Sequence, residues 1–255
     1  MKTEITLKVP TSYSDISLKK YLTLQKEMEN YKDDEEAVTA VMLYHLCELD
    51  PNHLKGLAVE DYNSIKGELS SFIGNIELDL QKFIQIDGVE YGFEPNLSNM
   101  SYGAYSDITK YSAIQIDDNW ANIMSILYRP VVKKQGDMYA IEPYSGNLNP
   151  QLFLEVGMDV HFGALFFFVR FINGLVERYP ELFEGDGHSS QHAANFAKKW
   201  SSYSTINELA NGDILKFEEV TIQPLEKCLL HLAYKADKAQ VEQLMHKEMM
   251  KRVTP

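Results

Sequence analysis

The stretch at residues 156–179 constrains the fold more than any other, because it is the most apolar window of the chain. Its large apolar residues recur at helical spacing, while Arg170, Asn173 and Glu177 form a narrow polar stripe at i, i+3 and i+7. The pattern predicts a helix that is buried on most of its sides. His161, Arg170 and Asn173 interrupt the apolar run, which favours a central core helix over a membrane span because a charged side chain is costly in hydrocarbon.

Length and charge narrow the classes of function. A chain of 255 residues can form one large domain or two modest ones. The net charge of -13 repels phosphate backbones and anionic membranes, so we expect neither direct nucleic-acid binding nor a membrane role. Cys47 and Cys228 each lie in an apolar helical pattern, which predicts buried free thiols in a reducing compartment. The N-terminus lacks an apolar signal core, so we expect synthesis in the cytoplasm.

Residues 1–78 are predicted to form an N-terminal arm and a small helical bundle. Ile5, Leu7 and Val9 alternate with polar residues before Pro10, which indicates a short strand or an extended arm. Amphipathic patterns follow at residues 18–28, at residues 38–46 before a stop at Asp50-Pro51, and at residues 60–72. Short connections between three amphipathic helices favour an antiparallel bundle.

Residues 79–150 are predicted to hold a hairpin and a Tyr-rich loop region. The Asp87-Gly88 pair lies between alternating apolar residues, which is the strongest short-range hairpin signal. Residues 96–106 are rich in Asn, Ser, Gly and Tyr, which indicates irregular structure. A helix around Trp120 is expected to end at Pro130, and a second, weaker hairpin is predicted about a turn at residues 133–137.

Residues 151–255 are predicted to hold the central core helix and the C-terminal helices. Thr205 and Glu208 form a capping-box pattern, which predicts a new short helix there that ends at Asn211-Gly212. Pro224 is expected in the first turn of a later helix, and residues 238–252 form an amphipathic, Met-rich helix. The predicted fold is therefore mainly α with one or two β-hairpins, a helical domain around a central buried helix. The three segments can also belong to one domain.

Motifs for catalysis or for a metal are weak. His188 and His192 have i, i+4 spacing and follow Asp186, but a zinc site needs a third or fourth ligand and the HExxH pattern is absent. A helix start with polar caps explains the same residues. We therefore expect no catalytic site, no cofactor and no bound metal. A metal-dependent enzyme that uses His188, His192 and a distant ligand remains the competing hypothesis.

Aromatic and methionine residues suggest protein contacts. Tyrosines concentrate in the middle third, and tyrosine is favoured at interfaces because it buries area while its hydroxyl stays polar. Core packing explains them equally well, whereas base stacking is disfavoured because no basic groove accompanies them. Met245, Met249 and Met250 indicate either an adaptable partner-binding helix or a helix that caps the core.

Seven short phrases, taken in chain order, carry a resemblance to a known group. They are Ile16-Ser17-Leu18-x-x-Tyr21-Leu22, Asp61-Tyr62, Gly88-Val89-Glu90-Tyr91-Gly92-Phe93, Ile126-Leu127-Tyr128-Arg129-Pro130, Ile141-Glu142-Pro143-Tyr144, Phe166-Phe167-Phe168 and Leu209-Ala210-Asn211-Gly212-Asp213-Ile214. This order resembles tail-assembly-chaperone-like and neck or tail structural proteins of tailed bacteriophages, including those of crAss-like phages. The resemblance spans most of the chain and contains no catalytic signature.

The resemblance implies a non-enzymatic role in virus assembly. The expected protein is a ring or connector subunit of the tail or neck that binds itself and other tail, neck or portal proteins. It would be made in the host cytoplasm and retained in the virion. The alternative is a tail-assembly chaperone that binds a tail component and does not remain in the particle.

The N-terminal arm and the Tyr-rich loops are predicted to make the contacts of such a subunit. An edge strand can add main-chain hydrogen bonds to a neighbour, and an Arg at a helix end can bridge carboxylates or pair within its own domain. The predicted interface residues are Ile5, Leu7, Val9, Tyr102, Tyr105, Tyr128, Arg129 and Tyr144.

Overall fold

The computed structural model of the chain describes residues 7–54, 56–73, 79–114, 116–183 and 191–253. The chain forms two compact units. Unit 1 comprises Met1–Phe93, Asp117–Val131 and Leu148–Phe167, and unit 2 comprises Glu94–Ile116, Val132–Asn147 and Phe168–Pro255. Each unit therefore combines stretches that are distant in sequence, which differs from the three consecutive segments at residues 1–78, 79–150 and 151–255.

The predicted mainly α fold with β-hairpins is confirmed. The helices of the described residues are, in chain order, α1 (Leu18–Asn30), α2 (Glu35–Cys47), α3 (Pro51–Leu54), α4 (Val59–Ile73), α5 (Tyr102–Ile114), α6 (Ile116–Leu127), α7 (Met158–Arg178), α8 (Pro180–Phe183), α9 (Gln191–Leu209), α10 (Phe217–Thr221) and α11 (Leu225–Val253). The strands are β1 (Phe83–Ile86), β2 (Val89–Phe93), β3 (Tyr128–Gln135) and β4 (Met138–Ile141).

Both predicted hairpins are present in one antiparallel sheet of order β1-β2-β3-β4, although the connection in the second spans only residues 136–137 and not the predicted 133–137. The first has a two-residue loop, since Ile86 pairs with Val89. Asp87 and Gly88 have φ angles of 49° and 80°, the left-handed values that a tight type I′ turn needs. Pro130 does not end the preceding helix as predicted. That helix ends at Leu127, and Pro130 lies within β3 opposite Tyr91.

Two helices differ from their predictions. Residues 96–106 are not irregular throughout, because α5 begins at Tyr102, where the Ser101 hydroxyl accepts a hydrogen bond from the Ala104 amide at 3.3 Å. Thr205 does not cap a new helix but lies inside α9. Its hydroxyl donates to the Ser201 carbonyl at 3.1 Å, which satisfies the side chain within one continuous helix.

The first part of α7 lies at the centre of unit 1. Rings of Tyr13 and Trp120 pack edge-on against Phe162, with centroid distances of 5.0 Å and 5.8 Å. Residues just before α1 run beside the start of α7, where the Met158 amide donates to the Ile16 carbonyl at 2.9 Å. Aromatic packing and backbone hydrogen bonds thus join the N-terminal segment to the core of unit 1.

The expectation that this central helix is buried on most sides is wrong for its second part. Met158, His161 and Ala164 are buried, whereas Phe166 and Val169 are 40% and 51% exposed. Within unit 2, Phe168 and Leu175 are buried seven residues apart, so the buried face narrows to one stripe. Apolar content predicts burial only where enough neighbouring elements surround a helix. By length and composition alone α7 is also long and apolar enough to cross a membrane.

The predicted burial of both cysteines is confirmed. Cys47 and Cys228 are buried free thiols. Burial raises the pKa of each thiol above its ordinary value, which keeps both protonated at neutral pH.

Candidate functional site

A groove in unit 2 is built by four helices, α5, α8, α9 and α11. Two backbone hydrogen bonds hold the starts of α5 and α11 together: the Tyr102 amide donates to the Gln223 carbonyl and the Leu225 amide to the Met100 carbonyl, both at 2.8 Å. Pro224 lies immediately before α11 rather than in its first turn as predicted, and it lacks the amide hydrogen that a helix interior would need. The first residues of α5 and α11 are therefore held against each other, and α8 and α9 form the remaining walls of the groove.

The groove has a volume of about 840 Å³, which is large enough for several side chains of a partner. Every wall contributes apolar groups, among them Leu182 from α8, Phe196 from α9 and Leu232 from α11. The Lys235 and Glu208 side chains form an ion pair of 3.2 Å at this groove. The lining thus combines apolar surface with charges and hydroxyls, the composition of a surface that binds an amphipathic segment.

Tyr102 and Tyr105 contribute two phenol rings to the lining from α5. Both side chains are buried, and their ring centroids are 6.1 Å apart. Burial raises the pKa of Tyr102 to about 12, although a hydrogen bond with Thr205 opposes the shift. Burial also raises the pKa of Tyr105. Both phenols are therefore neutral at physiological pH and offer hydrogen bonds rather than charge.

All four predicted interface tyrosines make contacts inside their own unit, the alternative that the sequence left open. Tyr102 and Tyr105 line the groove from within unit 2. Tyr128 is 1% exposed, and its hydroxyl donates to the Gln81 carbonyl at 2.5 Å within unit 1. Tyr144 is half-buried, and its hydroxyl donates to the Asp107 carboxylate at 2.6 Å within unit 2.

The other predicted interface residues are spread over the N-terminal segment and the start of β3. Arg129 is half-buried, and its guanidinium donates to the Ile126 carbonyl at 2.5 Å. Leu7 and Val9 are half-buried, and residues 7–10 form no strand. Ile5 lies outside the described residues. The predicted interface residues that the structure describes are thus divided between unit 1 and unit 2.

The histidine pair that suggested a metal is not described. His188 lies outside the described residues, and only the backbone of His192 lies within them. Among the residues that the structure describes, no group of three or more His, Cys, Asp or Glu side chains can hold a metal ion.

The C-terminal part of α11 is the second feature of this region. We call residues 240–253 the tail. Every side chain that the structure describes from Asp237 to Lys251 is exposed. Val241 and Leu244 are each 54% exposed, and Met245 is 56% exposed. The Met-rich end therefore does not cap the core of its own chain, which leaves the partner-binding alternative from the sequence.

Sequence reasoning found the methionines of the tail but missed the groove. The sequence predicts a loop at Tyr102 and Tyr105, so the wall formed by α5 is absent from the prediction, and it predicts a new helix at Thr205, where α9 is continuous. The available signal was the Ser101-x-x-Ala104 start of α5, where a serine precedes helical spacing at Tyr105 and Ile108.

No protein-family model, curated protein or solved structure matches this chain.

Proposed function

We propose that this protein is a non-enzymatic structural subunit that associates with itself, and that it forms an oligomeric ring or connector in the tail or neck of a tailed bacteriophage. The observation that carries the proposal is the exposed, amphipathic tail of α11. Its apolar side chains are more than half exposed in the single chain. Contiguous exposed apolar surface of this kind is typical of a surface that another protein covers.

Helix energetics support a partner for the tail. A helical segment of this length is marginal in water when it has no packing partner, since most helix stability in proteins comes from burial of one face. The α11 helix is nevertheless continuous over 29 residues. A neighbouring subunit that buries the apolar face of the tail would supply the stabilisation that its own chain does not.

The phage setting rests on the resemblance of the phrases quoted above and on charge. The net charge of -13 disfavours direct contact with DNA, so a role in the particle would consist of protein contacts. A tail-assembly chaperone is the second candidate. The open groove of unit 2 favours it, because a groove with an apolar lining can hold a helix of a client protein.

Quantitative mass spectrometry of purified phage particles tests the proposal, once the gene has been placed in a phage genome. We expect this protein in a fixed, multi-copy ratio to the portal and the major capsid protein, which serve as internal standards. Absence from particles combined with abundance in infected-cell extracts would contradict the structural role and favour the chaperone.

A further inference from the structure

We infer that the groove in unit 2 of one copy binds the tail of α11 from a second copy, head to tail. The inference rests on the proposed self-association and names the two surfaces that would carry it. Both surfaces belong to unit 2, and the continuous helix α11 contributes to each.

The tail has the spacing of a helix that docks in a groove. Val241, Leu244, Met245 and Met249 follow one another at i, i+3, i+4 and i+8, which places them along one side of the helix. Their exposed fractions are 54%, 54%, 56% and 58%. Two of the four are methionines, whose flexible side chains adapt to an irregular cavity.

The tail cannot fill the groove of its own chain. The residues of α11 that line the groove, such as Leu229, Leu232 and Ala236, precede the tail within one uninterrupted helix. A continuous helix carries its later residues away along its axis, at 1.5 Å per residue. The occupant must therefore come from another molecule, and a second copy carries a tail with suitable anchors.

The charge of the tail differs in sign from that of the chain as a whole. Residues 241–253 contain the basic Lys247, Lys251 and Arg252 against the acidic Glu242 and Glu248, whereas the whole chain has a net charge of -13. The tail itself is therefore slightly basic and does not add to the repulsion between two acidic copies.

The area of the contact predicts weak individual association. The tail is about 21 Å long, and a groove that covers half of its circumference removes roughly 400 Å² from each partner. The total of about 800 Å² is below the usual 1,200 Å² or more of a specific stable pair. Because groove and tail are different surfaces, the interface is heterologous, and repetition of it builds a ring or a filament in which each copy makes two such contacts.

Two variants of the full chain separate the two surfaces. The tail variant carries Leu244→Asp with Met245→Asp, and the groove variant carries Ala236→Trp, whose indole occupies the groove. Met250→Asp is the matched control, because this residue belongs to the same exposed helix but lies on the side opposite the anchors. Ala239→Arg, at an exposed position of the lining, replaces the groove variant if Ala236→Trp does not fold by circular dichroism.

Sedimentation velocity is measured for each protein alone and for an equimolar mixture of the tail variant and the groove variant. The concentration is one at which the wild type associates. We expect the tail and groove variants to be monomers and the Met250→Asp variant to associate like the wild type. The mixture is expected to give a one-to-one dimer and nothing larger, because it contains only one competent groove-tail pair.

The remaining outcomes overturn the inference in distinguishable ways. Variants that associate as well as the wild type, or a mixture that stays monomeric, contradict the groove-tail contact and leave self-association through another surface. A wild type that is monomeric at every concentration contradicts the proposed self-association as well, and leaves the groove to a different protein.

Discussion

Replacing Gly163 with alanine is expected to lower the free energy of unfolding by about 2 kcal/mol. A Cβ atom at this position would lie 2.4 Å from the Asp79 carbonyl oxygen and 3.0 Å from its carbonyl carbon. The neighbour is backbone and cannot rotate away, so α7 or residues 79–80 must shift. Overpacking of this kind costs about 1–3 kcal/mol or more, which outweighs the gain of about 1 kcal/mol in helix propensity. Urea unfolding followed by circular dichroism measures the change.

Gly174→Ala is the matched control in the same helix. A Cβ atom at Gly174 would meet nothing within 4 Å. The substitution is therefore expected to stabilise the protein by about 0.5–1 kcal/mol through helix propensity alone. Equal effects of the two substitutions would show that the backbone of residues 79–80 does not pack against α7 as described.

Acid is expected to destabilise unit 1 through His161. The side chain is 0% exposed, and its Nε2 donates to the Phe153 carbonyl at 3.1 Å. Burial lowers the pKa of His161 from 6.5 to about 4, although hydrogen bonding to the carbonyls of Phe153 and Val156 opposes the shift. The unfolded chain therefore binds more protons than the folded chain between about pH 6.5 and pH 4, and stability falls as pH falls through this window.

The expected loss of stability follows from the size of the pKa shift of His161. At one pKa unit per 1.36 kcal/mol, His161 alone is expected to remove about 2 kcal/mol of stability between pH 7 and pH 4.5. A His161→Gln variant keeps an amide donor near the Phe153 carbonyl but cannot gain a proton at this site. At pH 7 the free energies of unfolding of wild type and variant differ by some amount. We expect the wild type to lose about 2 kcal/mol relative to the variant between pH 7 and pH 4.5. A difference that is the same at both pH values would show that folding does not lower the pKa of His161.

Local sequence signals predicted those elements whose geometry depends on a few adjacent residues. The Asp87-Gly88 turn is an example, because two positive φ angles in succession favour this pair. The end of α9 is another, where Asn211 and Gly212 have φ angles of 52° and 79°. Thr205 misled the prediction because a hydroxyl can either cap a new helix or bond back to the previous turn.

Tertiary features were less accessible from the sequence. The apolar period of α7 predicted the helix correctly but not its exposure, because exposure depends on how many other elements cover it. The groove depends on four helices that approach one another from positions far apart in the chain. No local pattern records such an approach, so only the Met-rich end of α11, with Met245, Met249 and Met250, was apparent from the sequence.

The molar mass of the purified wild-type protein as a function of concentration tests the central claim most directly. Light scattering after size exclusion, repeated over a hundredfold range of concentration, gives this mass without any label or partner. Self-association predicts a mass that rises above that of the 29.2 kDa chain as the concentration increases. A mass that stays at 29.2 kDa throughout the range would contradict it.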